Sequence, residues 1–322
     1  MIKTVLQKIF YVVLMLGLIS LISFGAIHLA PNSFFASGEL NPNITQESLD
    51  QLKRVYGLDQ SLFMQFFSWL KAILHLDFGI SFASGKPVRD EILDRLAITL
   101  VLNGVSLVFV LAISLYLGIK AAMKQGFYDK SVKQFALISY AMPSFYLALL
   151  TVIVFAVRYK LFPISGLHSQ GLPQEGWIVY ADMAWHISLP IFVMVFGGVG
   201  SLILYVRSLS LAVLKSDYVF FAKSRGIRGK ALLMRFILPN LAPPIVTILG
   251  LSLPGLIGGS VILESIFAIN GMGLLFYQSA LSRDYPVIMG ILIITSFLTL
   301  LGNMIADLVL VKLNPHFKRR NI

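Results

Sequence analysis

The stretch Lys215–Pro244, KSDYVFFAKSRGIRGKALLMRFILPNLAPP, sits between two long apolar runs. It carries too much Lys and Arg to lie in hydrocarbon and too much Phe, Leu and Ile to be an idle linker. Ser216 or Asp217 can cap a helix over 218–224. Gly226 stands between the basic pairs Lys223/Arg225 and Arg228/Lys230. A glycine there can take positive φ and separate the two helices on either side of it. A second helix is expected over 230–238, ended by Asn240, Pro243 and Pro244, which open the following apolar run. The pattern is helix, tight turn, helix on the inner face of a membrane. Exposed Phe220, Phe221, Leu233 and Phe236 either fill a groove on a partner protein or anchor an amphipathic loop on anionic lipid. The residues alone leave both readings open.

Composition supports the membrane setting. The 322-residue chain is 57% hydrophobic and 13% charged, against about 25% charged in an ordinary soluble domain. Six apolar runs have spanning length: 9–30, 97–119, 134–157, 185–206, 245–263 and 287–311. The first is read as an uncleaved span, because no small-x-small cleavage site follows it. Pro143 should kink the third run. Pro190 and the Gly197-Gly198-x-Gly200 cluster lie in the fourth, and Pro254, Gly255, Gly258 and Gly259 in the fifth, where small residues permit close helix approach. The fold class is thus an all-α polytopic membrane protein with six transmembrane helices.

Charge sets the orientation. Segments 1–8, 120–133, 207–244 and 312–322 hold 17 of the 26 Lys and Arg, while 12 of the 15 Asp and Glu fall in the external segments and Asp307 lies near the inner end of the sixth run. The short loops carry most weight, and they agree that both termini are cytoplasmic. The net charge of +11 is spread between apolar runs, which points to membrane topology and away from nucleic acid. Three regions follow: 1–96, a first span plus an extracytoplasmic segment; 97–311, a five-helix core with the cytoplasmic loop 207–244; and a basic tail, 312–322.

The segment 31–95 is the longest without a span. Thr45 and Glu47 start a short helix that Gly57 ends. Ser61, Gln65, Ser68, Lys71 and His75 form one narrow polar stripe on the otherwise apolar 61–76. That length is short for a span, and the stripe with Trp69 suits a helix in the interface. A true span there would invert everything after it. Pro87 begins a third helix that runs toward the second apolar run.

Chemistry is sparse. The chain has no cysteine, hence no thiolate nucleophile or disulfide framework. It contains no GxxxxGK[ST], HExxH or GxSxG pattern, so ATP binding by a P-loop and the corresponding hydrolase chemistries are not expected. No metal site is expected. Asn103, Ser139, Tyr140 and Ser144 can line a wet path or be satisfied at helix contacts. Pro143, Gly258, Gly259, Glu264 and Asp307 are read as structural, Glu264 at the outer rim and Asp307 near the basic tail.

The segment DYVFFAKSRGIRGKALLMRFILPNLAPPIVT resembles the EAA-type loop of ABC importer permeases, specifically the first permease subunit of the oligopeptide, dipeptide and nickel group. The matching positions are Asp217, Tyr218, Ala222, Gly226, Asn240 and Pro244. Further matches follow in order. They include Tyr56-Gly57-Leu58-Asp59, Asp77-Phe78-Gly79, Pro87-Val88 and Arg95-Leu96. LFPISG (161–166), Gly258-Gly259-Ser260 with Glu264 and Phe267, RDYP (283–286), and Asp307 with Pro315 complete them. Departures are Pro31-Asn32-Ser33-Phe34 in the outer turn, Asp217 where Glu is frequent, and Asn314 where Asp precedes the final Pro.

The resemblance implies a type I ABC importer permease fold in a bacterial or archaeal inner membrane. Its partners would be a second homologous permease, two ATP-binding subunits, an extracytoplasmic substrate-binding protein and membrane lipid. ATP and Mg would be bound by the ATPases, with no cofactor on this non-catalytic chain. Asp217, Tyr218, Phe220, Phe221, Ala222, Lys223, Arg225, Gly226, Arg228, Phe236 and Asn240 would form the ATPase-coupling surface. ATP-driven closure of the ATPases would move that loop and open a pore lined by the second to fifth spans. The scarcity of charge inside the spans suits di- or oligopeptide cargo selected outside the membrane. A nickel or metal-chelate importer would share this architecture. A stand-alone secondary transporter would carry intramembrane charges for ion coupling.

Overall fold

The computed structural model describes residues 2–29, 60–171 and 176–313. The expected helix after Thr45, the outer turn 31–34 and the tail from Asn314 lie outside the described residues. The described chain is helical apart from turns and one isolated antiparallel bridge, Ile80 to Pro87.

Helix α1 is Ile2–Leu29 and α2 is Leu62–Leu74. Ser61 caps α2, its side chain accepting from Met64 N. Helix α3, Val88–Lys124, fuses the helix expected after Pro87 with the second apolar run. Nothing between Arg95 and Ala97 interrupts the ladder, so the two join. Asp90 and Glu91 in the first turn and Lys124 in the last suit the helix dipole.

The third apolar run is corrected from a kinked span to a broken one. Helix α4, Gly126–Ala141, and α5, Ser144–Thr151 continued by a π-helical turn over Val152–Arg158, meet at 94°. The cause is local. Met142 before the proline has ψ 120, the extended conformation that a following proline favours, and Pro143 restarts the chain with no N–H to donate.

Helix α6 runs Trp177–Leu214, starting eight residues before the apolar run and passing through Pro190 unbroken. Helix α7 is Asp217–Ser224. The segment after Gly226 departs from expectation. A first turn, α8 (Gly229–Leu232), a π-helical turn (Leu233–Ile237) and α9 (Leu238–Gly258) follow one another without a gap. Asn240, Pro243 and Pro244 therefore do not end a helix; they lie within one. The wide turn, with Leu238 N–H on Leu233 O, relaxes the ladder just before the prolines. Asn240 Nδ2 donates to Phe236 O at 2.6 Å, and Thr247 Oγ1 to Pro243 O at 3.0 Å. Gly259, at φ +71, ends the segment before α10 (Val261–Ile266), α11 (Met272–Ser282) and α12 (Tyr285–Leu313).

Among the described residues five helices have the length and apolarity to cross a bilayer, and the bent α4–α5 pair makes a sixth crossing if counted as one. Chain contacts gather into two units. The first comprises Met1–Thr99, Ile257–Val261 and Asn270–Met304. Within it, Gly290 lets Val88, Ile92 and Phe78 close on α12. The Asp284 carboxylate, 1% exposed, accepts from Ser81 Oγ at 2.5 Å and from the N–H groups of Phe82 and Ala83 at 3.1 Å. Thr99 Oγ1 accepts from Met272 N at 2.9 Å, capping α11 where Gly271 has no side chain to do so.

The second unit comprises Leu100–Leu256, Ile262–Ile269 and Ile305–Ile322. Its core sets Val132 and Ala136 of α4 and Ile119 of α3 against Val199, Ile203 and Val206 of α6, with Ile237 and Leu241 closing it. Gly200 makes the α4–α6 contact possible. A Cβ there would stand 2.5 Å from Ala136 O and 2.6 Å from Tyr140 N.

This contact is testable. Gly200→Ala should cost about 1–3 kcal/mol of stability, as overpacking does. Gly197→Ala, where no atom lies within 4 Å of the new methyl, should cost nothing. Thermal unfolding of both variants in detergent measures the difference.

Candidate functional site

The segment after α6 forms a compact knob. Leu214 ends α6, and the Ser216 hydroxyl donates back to Val213 O at 2.5 Å. Ser216 therefore holds the N-cap position of α7 without a side-chain cap bond. Its carbonyl accepts from Val219 and Phe220 N–H, starting the helix. Val219 and Ala222 are buried and seat α7. Opposite them, Phe220 and Phe221 are 67% and 65% exposed, their rings 6.0 Å apart. Asp217, Lys223, Arg225, Gly226, Arg228 and Asn240 are exposed.

The turn is built by two glycines. Gly226 has φ +81 and Gly229 φ +57, the region that side chains disfavour. Arg225 N–H bonds Phe221 O, Gly226 N–H bonds Lys223 O and Ile227 N–H bonds Ala222 O. These bonds satisfy the last carbonyls of α7, as a helix C-terminus requires. Phe236 is half-buried, its ring stacked on Tyr218 at 6.4 Å and 20°. That pair ties α7 to the π-helical turn, so Phe236 braces the knob while Phe220 and Phe221 form its tip.

An ion pair absent from the sequence reading holds the base. Arg207 Nη2 donates to Asp129 Oδ2 at 2.7 Å and Arg207 Nε to Asp129 Oδ1, with Lys133 Nζ 3.5 Å from the same carboxylate. Asp129 is 7% exposed and lies in the first turn of α4. The bidentate geometry clamps α4 to α6 two turns before the knob begins. Asp129 being one of two acids in the basic cytoplasmic segments was the available signal.

The polar residues read as a wet path divide. Asn103 Nδ2 donates to Leu256 O at 2.8 Å, taking a carbonyl that α9 leaves open as it ends. Ser139, 1% exposed, donates to Phe196 O of α6. Tyr140 and Ser144 are exposed beside the break at Pro143, itself exposed. The structure thus brings Asn103 and Ser139 to helix contacts and leaves Tyr140 and Ser144 on a surface.

Glu264 is 5% exposed, and its backbone carbonyl accepts from Ile269 N–H at 2.8 Å. Gly258 is followed by the turn at Gly259, and Asp307 is exposed on α12. Gly166 N–H bonds Phe267 O at 2.9 Å, joining two stretches that the sequence reading singled out separately. Asp182 accepts from Ser169 N and Oγ at 2.8 and 2.7 Å and fastens the preceding loop to α6. Sequence reading passed over Asp182 and quoted Asp284 only within the motif 283–286 without a role, because each carboxylate answers backbone donors that only the folded chain supplies.

Residues 111–319 match the family described as binding-protein-dependent transport system inner membrane component, and residues 1–103 match the N-terminal region described for such membrane components. The oligopeptide transport system permease protein AppB of Bacillus subtilis (strain 168) is 35% identical over 281 residues, 87% of this chain and 88% of its own. A putative peptide permease protein of Brucella suis biovar 1 (strain 1330) is 32% identical over 283 residues, 87% and 88% of the two chains. The dipeptide transport system permease protein DppB of Escherichia coli (strain K12) is 28% identical over 322 residues, 94% of each.

The clamp yields a prediction. Asp129→Ala and Arg207→Ala should each destabilise the protein, and the double variant should be less destabilised than the two losses combined. A coupling of about 1–3 kcal/mol, read from a double-mutant cycle of unfolding in detergent, is expected. A coupling near zero counts against the clamp.

Proposed function

We propose that this chain, which belongs to the family of binding-protein-dependent transport system inner membrane components, is the permease subunit through which an ABC importer moves di- or oligopeptides across the cell membrane. The chain is a multi-pass, non-catalytic membrane component. Peptide cargo is favoured by the relatives, which are named as oligopeptide, dipeptide and peptide permeases. A second permease completes the path, two ATPase subunits bind ATP and Mg, and an extracytoplasmic protein delivers the peptide.

The observation that carries the coupling role is the exposed Phe220–Phe221 pair on a short helix whose other face is buried through Val219 and Ala222. Each phenyl ring gains about 1.5–3 kcal/mol on transfer from water into a groove. Lys223, Arg225 and Arg228 surround the tip with positive charge, which suits an acidic rim on the ATPase. ATP-driven approach of the two ATPases displaces α7. The stack of Tyr218 on Phe236 passes that displacement to α9, and the Asp129–Arg207 clamp passes it to α4. The permease then exchanges inward- and outward-open states, with the ATPases supplying the bias.

Two experiments test this reading. Phe221→Asp should weaken capture of the ATPase subunits from detergent by at least about tenfold, since it removes a buried ring and buries a carboxylate. Unchanged affinity sinks the contact. Gly226→Val places a β-branched residue at φ +81, a strain of about 1–3 kcal/mol. It should leave the spans inserted and abolish binding-protein-stimulated ATPase activity in vesicles. For the cargo, peptides should compete for the cognate binding protein and for uptake; competition by nickel chelates alone refutes the peptide assignment.

A further inference from the structure

Helix α2 has no buried residue, although it is folded against another helix. Its 13 residues extend about 20 Å at 1.5 Å per residue, too short for a hydrocarbon core of about 30 Å. Its side chains sort onto three faces. Phe66 and Trp69 are half-buried and pack on Phe24 of α1, with ring centres 5.4 and 6.0 Å away. Ser61, Ser68, Lys71 and His75 make an exposed polar stripe. Between the two, Phe63, Phe67 and Leu74 are 70%, 50% and 78% exposed, and the Phe63 and Phe67 rings lie 4.6 Å apart. These three fall at i, i+4 and i+11, one side of a helix.

The depth of this apolar ridge follows from its anchor. The apolar stretch of α1 is Leu6–Gly25, and Phe24 is its second-last residue. A helix packed on Phe24 lies where the hydrocarbon ends. The polar stripe beside the ridge then faces headgroups and water while the ridge faces acyl chains, the arrangement of a helix lying in the interface. Lys71 can reach a phosphate from that position by extending its stem.

We propose that α2 is a lipid foot: it lies along the outer leaflet with Phe63, Phe67 and Leu74 inserted among the acyl chains and Lys71 at the headgroup phosphates. The foot is continuous with the rest of its unit. Leu76 turns the chain at φ +58, Asp77 Oδ1 accepts from Gly79 N, and the Ser81–Ala83 turn grips Asp284 at the start of α12. The bilayer surface thereby fixes the level of the turns that open α3 and α12. This inference rests on α1 as a span and needs neither the peptide cargo nor the coupling role.

The chain contains no cysteine, so a single introduced one carries the only nitroxide label on it. The variants Phe63→Cys, Phe67→Cys, Leu74→Cys, Ser68→Cys and Lys71→Cys are labelled in the assembled transporter, in vesicles of phosphatidylethanolamine and phosphatidylglycerol. Power-saturation spectroscopy then compares collision with oxygen and with a water-soluble nickel complex. Labels at 63, 67 and 74 should favour oxygen and report depths of about 5–10 Å below the phosphates, while those at 68 and 71 favour the nickel complex. Water exposure at all five positions overturns the proposal. Protection of 63, 67 and 74 from both reagents also overturns it, since a protein then covers the ridge. Uptake and ATPase activity of the same vesicles report separately on the importer reading.

Discussion

Hydrocarbon offers no hydrogen bond, so every interruption that proline or glycine puts into a spanning helix has to be closed by the protein itself. Side chains close several helix ends in this chain. Asn103 donates to Leu256 O where α9 ends, and Thr99 caps α11. Among the described residues no deeply buried side-chain nitrogen or oxygen is left without a partner. The α4–α6 contact obeys the same constraint. Gly200 lets the α4 backbone come within touching distance, and that approach brings the Ser139 hydroxyl onto Phe196 O. Close packing and hydrogen bonding depend here on one missing methyl group.

Charge is used as sparingly as polarity. Asp129 and Arg207 neutralise one another with two parallel hydrogen bonds near the end of α6. Asp284 and Asp182 instead fold loops around themselves, taking their donors from Phe82, Ala83 and Ser169. A carboxylate that accepts backbone N–H groups orders the loop that supplies them. These three acids therefore act as fasteners: one between two helices, and two between a helix and a loop folded onto it.

The apolar runs were legible because spanning length is a one-dimensional property: among the described residues each run is helical over most of its length, the third broken at Pro143 and the fifth at Gly259. Gly226 was legible too, since a glycine flanked by basic pairs punctuates locally. Proline was harder. Pro143 breaks its helix, while Pro190 and Pro254 do not. The residue before Pro143 goes extended, whereas Pro190 is buried within α6 and Pro254 is exposed on α9, so the residue type alone does not decide the outcome. The pairs Asp129–Arg207 and Ser81–Asp284 were illegible for a related reason: they are 78 and 203 residues apart. A carboxylate in a basic loop looks solvated until the fold shows which guanidinium faces it.

Continuity between the turn and α9 changes what the proposed coupling knob can transmit. Two short helices ended by Asn240 would yield at their joint, and displacement of the tip would be lost in the following loop. Instead the chain from Gly229 to Gly258 is a single helical path, with its one wide turn at Leu233–Ile237. Tyr218 stacks on Phe236 within that wide turn. Under the proposed coupling role a load on α7 enters the long helix at this wide turn, whose last residue, Ile237, is buried in the core with Leu241. The glycines at 226 and 229 shape the turn that follows α7.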